Sequence, residues 1–103
     1  MRVGYSILRE IHRKEYVPES GHYGIKVVEF ERMIKLLEKQ GYLERVLRAG
    51  DEFSLRPARL TQKGEDFLEE YRILEDIYPK ENKELINWVQ IDKIMYSNDA
   101  SEE

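Results

Sequence analysis

Apolar residues recur along this chain with a helical period in four stretches, and between the second and third the pattern switches to the short alternation of strands. Ile7, Leu8 and Ile11 form an i, i+1, i+4 stripe that predicts a first helix over about 3–14, with Arg2, Arg9 and Arg13 facing outward. Pro18, Ser20 and Gly21 mark a loop, and Ser20 is placed to cap a short helix over about 21–25. Phe30, Met33, Ile34 and Leu37 then repeat at i, i+3, i+4, i+7 and predict a helix over about 28–40, ended by Gly41 in the left-handed conformation. Lys26 and Val27 stand where a Ser, Thr, Asp or Asn cap belongs, so its first turn is expected to fray.

Tyr42 to Arg48 favours strand, Ala49-Gly50-Asp51-Glu52 reads as a turn, and Phe53-Ser54-Leu55-Arg56 returns until Pro57 removes a ladder donor. The hairpin is therefore expected over 42–57. Thr61 is expected to cap a helix over about 61–78 with Phe67, Leu68, Tyr71 and Leu74 on one face, although Gly64 stands where a Glu or Gln would complete a capping box. After Pro79, a last helix over about 81–96 presents Leu85, Trp88, Ile91 and Met95 as a stripe for the core or for a dimer contact. Residues 97–103 are polar and acidic and predict a disordered tail.

Helix, short helix, helix, hairpin and two further helices give a mostly helical α+β chain. The order is that of a winged helix-turn-helix with a two-stranded wing and an extra C-terminal helix, in one domain over 1–96. At 103 residues, 41% of them apolar, the chain has material for one small core.

Tyr5-Ser6-Ile7-Leu8-Arg9-Glu10-Ile11, Tyr23-Gly24-Ile25, Phe30 with Ile34 and Leu37, and Gly41-Tyr42-Leu43 occur in order along the chain. Leu60-Thr61 with Lys63-Gly64-Glu65, Phe67-Leu68-Glu69-Glu70, and Leu85-Ile86 with Trp88-Val89 follow them. Together they resemble the YjcQ family, small winged-helix proteins of Gram-positive bacteria and their phages, over roughly residues 4–90. The Leu-Thr before Lys-Gly signal is shared with winged-helix regulators of the MarR and PadR types. The resemblance implies a winged-helix fold and a regulatory role without naming a ligand or target. The chain departs from the family at Lys26, where a capping Thr or Ser is usual, and in its longer segment after Gln90.

The net charge of −4 hides an asymmetry. Residues 1–60 carry 12 Lys/Arg against 9 Asp/Glu, a balance of +3; residues 61–103 carry 5 against 12, a balance of −7. The half that would hold the reading elements is basic. At about 100° per residue, the side of the 28–40 helix opposite its apolar stripe holds Val28, Arg32, Lys35 and Lys39, with Glu31 and Glu38 on one flank and Glu29 on the other. In a helix-turn-helix this ridge enters a major groove. Lys26 and Arg32 then fall near base edges, Lys35 and Lys39 near phosphates, and the wing arginines Arg45, Arg48, Arg56 and Arg59 along the backbone. The same ridge also reads as ordinary surface pairs such as Glu31 with Lys35. Double-stranded DNA is thus the first expected partner, with a homodimer through the Leu85/Trp88/Ile91/Met95 helix fixing half-site spacing. A protein partner for the acidic residues Glu65, Asp66, Glu69, Glu70, Glu75 and Asp76, in an adapter role, is the alternative.

Candidate chemistry adds little to this. The chain has no Cys, hence no disulfide, thiol nucleophile or thiolate metal site, which fits a cytoplasmic setting. His12 and His22 have no ligand set around them, the serines lie in no nucleophile elbow, and the paired carboxylates read as solvated helix faces. A non-enzyme without metal or cofactor is expected. No apolar run approaches the roughly 20 residues of a membrane span.

Overall fold

A computed structural model describes residues 2–90 of the chain. The stripe of the first stretch closes into α1, Arg2–Arg13, with Ile7 and Leu8 wholly buried; Lys14, at φ 59°, stops it. α2 is a single turn, Ser20–Tyr23, and three residues, Gly24, Ile25 and Lys26, lead from it into α3, Val27–Lys39. Ser20 is the first helical residue of α2 and not its cap. Glu19 takes that place, and its N–H donates to His22 Nδ1 at 2.9 Å, a ring nitrogen reaching back from the third helical position as the Glu or Gln of a capping box does.

At the start of α3, Lys26 is extended and its N–H donates to Glu29 Oε1 at 3.0 Å, a carboxylate reaching back from the third helical position. At the end, the N–H of Tyr42 donates to Leu37 O and that of Gly41 to Glu38 O, both at 2.9 Å. This is a Schellman closure, and the residue it places in the left-handed region is Gly41, φ 84°.

The strand region extends further than the expected 42–57. β1, Leu43–Glu44, pairs antiparallel with β4, Arg59–Leu60, while β2, Leu47–Ala49, pairs with β3, Glu52–Ser54. Arg45, at φ 65°, separates the two ladders on one side. On the other, Leu55 to Ala58 detours through a turn in which the Ala58 N–H donates to Leu55 O at 3.1 Å. Pro57 thus interrupts the pairing without ending it, and β4 resumes where no strand was expected.

The helix expected over 61–78 divides. Thr61 caps α4, Gln62–Glu70, by accepting from the Gly64 N–H at 3.1 Å, but after Tyr71 the chain tightens into a 3-10 helix, Arg72–Ile77. No Gly or Pro marks this break. The tighter helix rises about 2.0 Å per residue against 1.5 Å, and the segment it lengthens is tied to α1 at Glu75 and Tyr78. Beyond Pro79 a second 3-10 turn, Asn82–Glu84, precedes helical residues 85–90, so the last helix starts later than the expected 81. Ile91, Met95 and the tail over 97–103 lie outside the described residues.

The core joins α1 and α3 to Leu43, Leu55, Leu60, Leu85, Trp88 and Val89. Two of the arginines expected to face outward from α1 do not. Arg2 stands over the Trp88 ring, 4.8 Å from its centroid, and donates to the Trp88 carbonyl at 3.1 Å. Arg9 lies 3.8 Å above the Tyr78 ring and forks onto Glu75. Each covers an aromatic face with its cation.

Candidate nucleic-acid interface

α3 is fixed at its C-terminal end by the start of the next element. The Thr61 N–H donates to Tyr42 O at 3.1 Å, the Thr61 hydroxyl donates to Gly41 O, and Lys63 Nζ donates to Gln40 O at 2.8 Å. Gly64 passes so near this turn that a Cβ there would stand 2.2 Å from Tyr42 O. The Leu-Thr, Lys-Gly signal is therefore a junction: its polar atoms take the carbonyls of Gln40, which caps α3, and of Gly41 and Tyr42, which follow it.

With Phe30, Ile34 and Leu37 buried, the opposite side of α3 carries Val28, Arg32, Lys35, Leu36 and Lys39, all exposed. The three carboxylates beside this ridge are each engaged. Glu29 accepts from the Lys26 N–H, Glu31 pairs with Lys35 at 3.4 Å, and Glu38 receives both terminal nitrogens of Arg48. The last contact ties β2 to α3 and raises the Arg48 pKa, the Glu38 hydrogen bond being the cause.

Of the eight cations singled out in the sequence, Lys35, Arg48 and Arg59 are thus neutralised, Arg59 by Glu44 at 2.6 Å. Lys26, Arg32, Lys39, Arg45 and Arg56 are exposed with no ion pair among the described residues. Arg56 lies near the start of α3: together with Val27, Phe30 and Phe53 it lines a cleft of about 410 Å³ between the α1–α2 connection and β3. The turn at Gly50 and Asp51 is exposed, so the acidic tip stays in water.

Leu85 and Trp88, set down for either core or dimer, are 1% and 6% exposed within this one chain. Among the described residues, Ile73 and Ile77 are instead the large apolar residues left open on the C-terminal side, at 72% and 52%. The acidic residues nearby are only partly free. Glu75 binds Arg9, Arg13 and the Tyr5 hydroxyl, Glu69 pairs with Arg72 at 3.2 Å, and Asp66 accepts from Gln62 at 3.0 Å. Arg9, with Tyr5 adding to it, holds the Glu75 carboxyl below its ordinary range.

A buried polar group that sequence reasoning missed is Glu10, 1% exposed. Its Oε2 accepts from Tyr78 Oη at 2.5 Å and Arg9 at 2.7 Å, and Ser6 Oγ links Tyr78 Oη to Tyr23 Oη at 2.7 and 2.9 Å. Burial, with Glu10 as acceptor, raises the Tyr78 phenol; burial and the Glu10 charge push the Tyr16 phenol up to about 12. The only signal for this cluster was the recurrence of Tyr opposite one helix, since a lone Glu on α1 reads as surface. The bonds among Glu10 Oε2, Ser6, Tyr23 and Tyr78 hold α1, α2 and the end of the 3-10 segment together, while Glu10 Oε1 and the Tyr16 hydroxyl are buried without a hydrogen-bond partner among the described residues. Among the described residues no three His, Asp or Glu gather as a metal site, and no helix is long and apolar enough to cross a membrane.

No protein family, curated protein or solved structure matches the chain.

Proposed function

We propose that this chain is a winged helix-turn-helix module of a transcriptional regulator. It binds double-stranded DNA with α3 in the major groove and the β2–β3 hairpin as its wing. The observation that carries this reading is the outward ridge of α3. It exposes Arg32 and Lys39 without ion pairs among the described residues, and the carboxylates flanking it are each occupied by a backbone N–H or a neighbouring cation. Three further features support it. A three-residue turn joins α2 to α3, as in helix-turn-helix pairs. The Thr61 to Gly64 junction and the Arg48 to Glu38 tie fix the helix relative to its surroundings, which a groove-reading element requires. The resemblance to YjcQ-like proteins points the same way.

Fluorescence anisotropy of a mixed pool of labelled duplexes tests the reading. Saturable binding that weakens steeply between about 50 and 200 mM salt is expected, and Arg32→Glu with Lys39→Glu abolishes it. Absence of binding at low salt overturns it. One observation favours a protein-binding adapter as the second reading. Ile73 and Ile77 stand exposed among Glu70 and Asp76, apolar groups ringed by charge as at a protein contact. For that reading Glu69→Lys with Glu70→Lys removes partner capture while the α3 variant leaves it intact.

A further inference from the structure

The ridge of α3 is not purely cationic. Val28 is 57% exposed at its N-terminal end, one turn before Arg32, although a helix whose task is only to neutralise phosphates gains nothing from an isopropyl group there. Around the helix axis, Val28, Arg32 and Lys39 all fall within about 30° of the direction opposite the buried stripe. Val27 differs: it lies toward the side and lines the cleft with Phe30 and Phe53. Val28 is therefore the apolar group that a major groove would meet first, and its β-branched side chain is stiff, so little rotamer freedom is lost on contact. Along base edges in the major groove the apolar feature is the C5 methyl of a pyrimidine. Four residues, about 6 Å along the helix axis, separate Val28 from Arg32, a span of one to two base steps.

We propose that Val28 reads a pyrimidine C5 methyl in the major groove, next to a guanine whose O6 and N7 Arg32 engages. This deepens the DNA reading above and rests on it. Thymine and 5-methylcytosine both carry that methyl, and the experiment separates them.

The full chain is titrated against duplex pools of one sequence composition: ordinary, with every thymine replaced by deoxyuridine, and with every cytosine 5-methylated. Loss of one methyl contact is expected to weaken binding about fourfold, taking roughly 0.8 kcal/mol per buried methyl. If thymine is read, the ordinary pool binds tighter than the uracil pool. If 5-methylcytosine is read, the methylated pool binds tighter than the ordinary one. In both cases Val28→Ser, which carries no methyl, erases the difference and Val28→Thr, which keeps one γ-methyl, retains part of it. Because Val28 is exposed, an unchanged melting temperature will certify that these variants fold. Equal affinity for all three pools, or a difference that survives in Val28→Ser, overturns the proposal while leaving DNA binding intact. No binding to any pool at low salt overturns both.

Discussion

Gly64 decides whether α4 can start where it does. Alanine there gains about 1 kcal/mol of helix propensity, yet its methyl would sit 2.2 Å from a backbone carbonyl and 3.1 Å from the Leu60 side chain. A carbonyl held by the Thr61 N–H cannot swing aside, so overpacking wins. Gly64→Ala is expected to lower stability by about 2 kcal/mol, read as a shift of the urea midpoint at unchanged slope. An unshifted midpoint would mean that the junction yields. The sequence carried part of this information: Thr61 as cap and Gly41 as helix stop follow from local chemistry alone. It could not show that the two meet, because the contact closes across about twenty residues. Glu10 was illegible for the same reason; its partner Tyr78 lies far along the chain, just past the 3-10 segment, and nothing local distinguishes it from the exposed Glu15.

Among elements, α1 and α3 were the most legible, since a long apolar stripe at helical period admits one reading. The hairpin was legible in its tip and not in its base: β4 is two residues long and follows a proline. The 3-10 segment was hidden because its cause is tertiary, a carboxylate and a phenol drawn onto α1. Glu75 makes that cause testable. Its folded pKa lies below the ordinary carboxylate value, so its contribution is present above the unfolded pKa near about 4.3 and is lost as pH falls through the folded value. Thermal melts of the protein and of Glu75→Gln are therefore expected to differ most near neutral pH and to converge as pH falls below the unfolded value. A gap that stays constant through that fall would show that the ion pair with Arg9 adds nothing to docking of the segment.

At the scale of the molecule, ion pairing limits what the basic half can do. Three of the eight nominated cations are already neutralised, which leaves five to meet phosphates or bases. Each phosphate neutralised contributes about −0.9 to the slope of log K against log salt, so these five give a protomer a slope of about −4.5 if all meet phosphates and about −3.6 if Arg32 meets a guanine instead. Two protomers on adjacent half-sites could reach about −9. The slope thus counts protomers on the duplex, with sedimentation of the complex as the independent check. Glu38→Gln sharpens the measurement. It removes the acceptor charge that holds Arg48, costs at most about 1 kcal/mol of stability as an exposed pair, and frees one more cation on the hairpin. If the hairpin lies along the backbone, the variant's slope steepens by about 0.9 per protomer and its affinity at low salt rises. An unchanged slope would place Arg48 away from phosphate and leave Arg45 and Arg56 as the hairpin's only cations to meet the backbone.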